Sequence, residues 1–322
     1  MVVFHAPLPF FITFSDVSWF AGKDSFFKAH KDTPRGTDMF GSLVIVYPTA
    51  HQGGELVLRH KGSEWTFDAN ILTSLQPFPS LAYVAFYSDI EHEVLKVTSG
   101  SRVTLTYNLY LVPCVSISKT PVSSDASATP VRPNLKDTAN FQTTLRRLLK
   151  RPEFMPEGGT LALNLTHLYP VTFDTDLQGM VAYLKGEDAH VYRSCRELEL
   201  KPMLRMIYDR RRSRRSKHGV MMEVIVGNPN YDYQQTDYQG HLVHELGGIP
   251  VNLSNGDLAA DSDWNQDEMT EDYEQLSWLT DFTKPTNELK DLMIAYGNEV
   301  SVGFVYCSPC LIVRIGPAGD RI

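Results

Sequence analysis

The sequence predicts a mostly β domain of sandwich or barrel type, followed by an α+β domain. Three observations predict it. Residues 40–48, 55–60, 81–87 and 102–112 are β-branched or aromatic runs of strand length, separated by Gly, Pro, Ser and Asp. Residues 116–135 are rich in Ser, Thr, Pro and Ala and poor in large apolar groups, the composition of a linker. Beyond them, helical and strand patterns mix. The boundaries that follow are 1–115 for the first domain, 116–135 for the linker and 136–322 for the second domain.

The first nineteen residues are apolar and aromatic, yet no Lys or Arg occurs in the first 22 and two prolines interrupt the run. Neither a secretory signal nor a membrane helix is expected, and Val2 to Phe14 does not read as a bracing element. Tyr83, Phe86 and Tyr87 read as core residues of the strand before Asp89. In residues 102–107, Arg102, Thr104 and Thr106 alternate with Val103, Leu105 and Tyr107, which gives a strand with one polar and one apolar face. In the second domain, Phe141, Leu145, Leu148 and Leu149 predict a helix over 137–150, and 187–199 predicts another. Strands are expected at 160–166, 202–208, 220–226 and 300–314, with a long polar loop over 227–275.

Composition narrows the function classes. With 43% hydrophobic residues the chain can build cores, and its net charge of -8 gives no general attraction to nucleic acid or anionic membranes. Residues 1–115 hold 8 Lys/Arg against 10 Asp/Glu, so a nucleic-acid substrate is disfavoured. Four cysteines are too few and scattered for a disulfide scaffold, which points to a reducing, cytoplasmic setting. Cys307 and Cys310 read as small core residues on a strand. The basic run Arg210 to His218 offers a nuclear-import reading, and Asp257 to Glu274 is strongly acidic; both also read as solvated loops. His241-Leu-Val-His244-Glu245 has the wrong order for a zinc peptidase helix and reads as loop.

The chemistry-bearing constellation begins at His30-Lys31-Asp32. On an extended chain, residues i and i+2 share a side, so imidazole and carboxylate can converge on one ion. His92 follows sixty residues after Asp32, and Arg102 ten after His92. Two histidines and one carboxylate on one face of a metal leave open positions suited to non-haem Fe(II). Arg102 offers a planar fork for a carboxylate, and Thr104 a hydroxyl on the same strand face. His51 and His60, flanking Gly53-Gly54, read as surface residues or as supports of the ligands.

From FFKAHKD through ELVLRH to VAFYSDIEHEVLKV and RVTLTYNLYL, the chain resembles the iron(II)- and 2-oxoglutarate-dependent dioxygenases. The branch is the prolyl 4-hydroxylase-like one common among fungal proteins, and the similarity spans roughly residues 25–112. The resemblance implies a double-stranded β-helix (jelly roll), with His30, Asp32 and His92 binding Fe(II) and Arg102 binding the distal carboxylate of 2-oxoglutarate. It implies O2 as cosubstrate, ascorbate as an accessory reductant, and hydroxylation of a C–H in a protein side chain or small molecule, with release of succinate and CO2. Many collagen-type prolyl hydroxylases carry Lys where this chain has Arg102, which argues against collagen proline as the substrate. Only 29 residues precede His30, fewer than the family places there, so the barrel is expected to be short at its start.

Two other classes stay open. One is a catalytically weak or inactive dioxygenase-like interaction protein. The other is a nucleic-acid demethylase of the same superfamily, which the charge balance disfavours. The second domain resembles C-terminal extensions of similar proteins, and reads either as a degenerate, metal-free β-helix or as an interaction module.

Overall fold

The computed structural model describes residues 10–21, 24–33, 35–36, 38–74, 78, 80–111, 135–209, 218–227, 238–255, 273–280, 282, 285–294 and 300–321. The chain divides into two units, Met1–Leu135 and Lys136–Ile322. The first contains β1 (Phe10–Ala21), β2 (Ser25–His30), β3 (Met39–Val46), β4 (His51–Gly53), β5 (Leu56–His60), β6 (Ser63–Phe67), α1 (Ala69–Ser74), β7 (Ala82–Tyr87) and β8 (Glu91–Leu111). It is mostly β, with curled sheets of the jelly-roll kind.

Strand β8 organises this unit. Its first half pairs antiparallel with β2 on one side and with β4 and β5 on the other. Its second half pairs with β1 and β3, and β3 pairs onward with β7. One strand of 21 residues therefore belongs to two layers. The change of layer falls at Gly100, whose φ of 75° is open to glycine and rare for other residues. A Cβ there would lie 2.1 Å from the Ala50 carbonyl oxygen, so the position excludes a side chain on contact as well.

The core lies between the layers. Alternation puts Val44 and Val46 of β3, Val84 and Phe86 of β7, Leu56 and Leu58 of β5, and Val94 of β8 into one cluster. Each such side chain, fully buried, contributes roughly 1.5–3 kcal/mol. The short α1 starts at Asp68, whose Oδ1 accepts the amide protons of Asn70 at 2.9 Å and Ile71 at 3.2 Å.

In this unit two expectations are corrected. Val2 to Phe14 does not read as a bracing element, yet Phe10–Ala21 is a strand paired along its length with Ser101–Leu111; residues 2–9 lie outside the described residues. The alternation was masked because β1 is apolar on both faces, and Phe11 stacks on Tyr110 at 4.9 Å while Phe14 meets Tyr107 edge-on at 5.7 Å. Tyr83, expected in the core with Phe86, is instead 49% exposed, because residues 83 and 86 point to opposite faces of β7. Tyr83 joins Trp19, Phe14, Val17 and Tyr47 on an exposed apolar face of the layer formed by β1, β8, β3 and β7.

The second unit is α+β. It comprises α2 (Leu135–Leu149), β9 (Gly159–Asn164), α3 (Gly186–Glu197), β10 (Met203–Asp209), β11 (His218–Met222), α4 (Tyr238–His244), β12 (Ile249–Asn252), β13 (Leu276–Thr280), β14 (Asn287–Ile294) and β15 (Val300–Ile315). The sheet runs β12-β11-β10-β15-β9-β13, with β14 also on β15. The periodicity of α2 buries Leu145 and Leu149 against Leu161, Cys195 and Val313. Cys307 and Cys310 are core residues of β15; burial pushes the Cys307 thiol up to about 12 and Cys310 in the same direction. Within the expected polar loop 227–275, residues 238–252 form α4 and β12, since Leu242 and Val251 supply fully buried anchors. His241 thus sits on a helix, its Nδ1 3.0 Å from Glu245 Oε2 one turn on. Most of the basic run 210–218, most of the acidic run 257–274 and nearly all of the linker 116–135 lie outside the described residues. No helix among those described is long and apolar enough to cross a membrane.

Gly100→Ala should lower the urea unfolding free energy of the first unit by at least ~2 kcal/mol. Gly62→Ala, at a comparable φ of 79° with nothing within 4 Å of the added Cβ, should cost only about 1–2 kcal/mol. Equal costs in fluorescence-monitored unfolding of the full chain would contradict the contact at Ala50.

Candidate metal and carboxylate site

His30 closes β2 and stands directly opposite His92 in the β2–β8 register. Opposed residues of an antiparallel pair share a face, which puts the two ring centroids 4.1 Å apart. Asp32, just past the end of β2, brings Oδ1 to 3.7 Å from His92 Nε2. One ligand atom from each of His30, Asp32 and His92 lies within 4.8 Å of the others. The structure therefore brings together all three residues singled out by the motif.

The tautomers are set locally. His30 Nδ1 lies 2.9 Å from the Lys28 carbonyl and His92 Nδ1 lies 3.1 Å from the Ile90 carbonyl. A carbonyl only accepts, so each Nδ1 donates a proton to it and each Nε2 is the nitrogen left for a ligand. Burial pushes the His92 imidazole toward its neutral form, opposing the Ile90 hydrogen bond and the Asp32 charge, which favour the cation. Two lone-pair nitrogens and a carboxylate oxygen facing one another are a donor set for a divalent cation. Phe86 packs on the His92 ring at 4.6 Å and Phe27 meets the His30 ring at 4.5 Å, which restricts both imidazoles.

Arg102 lies on the second half of β8 and is 1% exposed. Its Nε has no hydrogen-bond partner, and its guanidinium makes no ion pair among the described residues. Phe20 lies beside it, with the guanidinium carbon 5.6 Å from the ring centroid. Burial pushes the guanidinium down to about 10, against the pull of Glu55, so it remains a cation at neutral pH. Gly54 makes room for it: a Cβ at residue 54 would come within 2.8 Å of Arg102 Cδ and 3.0 Å of Val97 Cγ2. The turn at Gly100 thus folds Arg102 back beside Val97, five residues beyond His92. Thr104, 2% exposed, has its hydroxyl 3.5 Å from the Ser18 carbonyl, and Asn108 is also buried.

The competing histidines stay apart from this group. His60 Nε2 lies 3.8 Å from Asp89 Oδ2. His51 lines an open cavity of about 720 Å³ with Gln52, Thr73 and Gly100, at the bend of β8 and without any triad residue. Ser42 escaped the motif reading. Its hydroxyl donates to Asp32 Oδ2 at 2.5 Å from a buried position on β3. The signal was there: a single hydroxyl among the inward residues Ser42, Val44 and Val46.

No curated protein matches the chain. Among solved structures it is similar to an oxidoreductase of the 2OG-Fe(II) oxygenase family from Burkholderia pseudomallei, at 26% identity and TM-score 0.26, over 31% of this chain and 43% of that one. A Pseudomonas putida prolyl-4-hydroxylase matches at 22% identity and TM-score 0.23, over 33% and 56%. A Trichoplax adhaerens prolyl hydroxylase, solved with a hypoxia inducible factor peptide fragment, matches at 19% and TM-score 0.21, over 29% and 41%. The chain thus spans between 41% and 56% of the length of these structures. Residues 16–110, which contain His30, Asp32, His92 and Arg102, match the family model of the 2OG-Fe(II) oxygenase superfamily, whose members use Fe(II), 2-oxoglutarate and O2.

Proposed function

We propose that the first unit is a Fe(II)- and 2-oxoglutarate-dependent dioxygenase that hydroxylates an unactivated C–H, of a prolyl or other protein side chain or of a small molecule, releasing succinate and CO2. The observation that carries this reading is the buried guanidinium of Arg102, without an ion pair among the described residues, on the same strand as His92. An uncompensated buried charge costs several kcal/mol, and a bound carboxylate would offset that cost. The donor set also fits the ion: His30 and His92 would each offer Nε2, and Asp32 would offer Oδ1. Bound iron and 2-oxoglutarate supply the O2 activation and the C–H oxidation.

The chain's own groups bind and orient. Arg102 would grip the distal carboxylate of 2-oxoglutarate with two parallel N–H bonds, and Thr104 would add its hydroxyl from the same strand face. Leu56, Leu58, Val94 and Phe86 form an apolar wall behind His92, which keeps water from its buried side. Hydrogen bonds to Lys28 and Ile90 fix the orientation of both imidazoles and leave each Nε2 as the nitrogen that would meet the ion. A second reading, a weak or inactive dioxygenase-like interaction protein, is favoured by the exposed apolar face carrying Trp19 (71% exposed) and Phe14 (58% exposed).

The purified chain should convert 2-oxoglutarate to succinate only with Fe(II), and His92→Ala should lower that rate at least ~100-fold. Absence of succinate with Fe(II) and ascorbate present would favour the second reading. Arg102→Met should separate stability from binding. Without 2-oxoglutarate it should unfold at the same or a higher temperature than the parent, by up to ~1–4 kcal/mol, because it removes an unpaired buried charge. With saturating Mn(II), 2-oxoglutarate at 100 times its Kd should stabilise the parent by ~2.7 kcal/mol and the variant not at all. A strongly destabilised Arg102→Met in thermal unfolding would contradict the assignment of Arg102 as a carboxylate receptor.

A further inference from the structure

Asp32 is the least anchored member of the triad. His30 and His92 lie on paired strands, whereas Asp32 lies beyond the end of β2 in a segment without regular structure. What reaches it is Ser42, from β3, a strand paired on both sides, with β7 and with β8. Ser42 is 2% exposed and faces inward with Val44 and Val46, where alanine or valine would suit the packing. A buried hydroxyl costs about 1–3 kcal/mol unless it is hydrogen-bonded. The side-chain partner it has is Asp32 Oδ2, at 2.5 Å.

The two oxygens of Asp32 thereby take different roles. Oδ2 is engaged by Ser42, while Oδ1 lies 3.7 Å from His92 Nε2 among the ligand atoms. We propose that Ser42 is a positioning residue that ties the loop-borne Asp32 to the rigid sheet and makes it a one-oxygen ligand. This rests on the reading of the triad as a metal site given above. The consequence is a matter of counting. On a six-coordinate ion, two nitrogens and one oxygen leave three positions, enough for a two-pronged 2-oxo acid and O2. A carboxylate binding through both oxygens would leave two, and one of those partners would be shut out. Ser42 touches neither substrate nor cosubstrate in this account; it acts through Asp32.

The test uses the full chain and Mn(II) as the probe, with affinity read by calorimetry or by electron paramagnetic resonance of free Mn(II). Supporting partners of metal ligands are typically worth 10–100-fold in affinity. Ser42→Ala and Ser42→Val should each bind Mn(II) about 10–100-fold more weakly than the parent. Ser42→Thr, which keeps the hydroxyl and matches valine in shape, should stay within about threefold of the parent. The threonine–valine pair reads out the hydroxyl at constant volume even if the alanine variant fails to fold. Equal affinity in the threonine and valine variants, with a parent that binds Mn(II) and loses it in His92→Ala, overturns the role of Ser42 and leaves the metal site intact. A folded parent that does not bind Mn(II) overturns both.

Discussion

Because Gly100 takes a positive φ where the Ala50 carbonyl leaves no room for a Cβ, one 21-residue strand can leave the layer of β2 and β5 and enter the layer of β1 and β3. The site depends on that change of layer. A straight strand would carry residues ten apart about 33 Å from each other. Turned at Gly100, β8 keeps His92 opposite His30 in one layer and sets Arg102 beside Val97 and Gly54 at the junction. His92 and Arg102 are then two points on one covalent element, whose spacing cannot drift with loop motion.

The electrostatics follow from the same geometry. At the junction between the layers Arg102 is buried, and among the described residues no backbone or acidic partner satisfies its Nε. Glu55, next to Gly54, favours the charged form without pairing with it. A protein selected for stability alone would place a hydrophobic residue here, since an unpaired buried cation is a liability. Keeping the cation makes sense where an anion arrives to complete it. The imidazoles show the complementary arrangement: burial favours neutral His92, and backbone carbonyls at Lys28 and Ile90 turn both lone pairs toward the same space.

Much of the site was legible because its chemistry is written in short periods. His30 and Asp32 share a side by the two-residue period of extended chain, and Arg102 and Thr104 share a buried face by the same rule. What could not be read were features that depend on which strands meet. Ser42 looks like a filler in FGSLVIV until β3 is placed next to the end of β2. β1 hides its alternation because aromatic side chains occupy both of its faces, and Tyr83 looks like core until the outer face of the β1-β8-β3-β7 layer is found uncovered. In the second unit, α4 and β12 lie in a segment whose polarity outweighs its few anchors, so composition reads loop where Leu242 and Val251 are buried.

The central claim is that a metal held by His30, Asp32 and His92 and a carboxylate held by Arg102 make one binding site. Calorimetric titration of 2-oxoglutarate into the full chain, with and without Mn(II) and without O2, tests it most directly. The account predicts one 2-oxoglutarate per chain when Mn(II) is present and binding at least tenfold weaker without it. Binding that is indifferent to Mn(II), or no binding by a folded, Mn(II)-loaded chain, would contradict it.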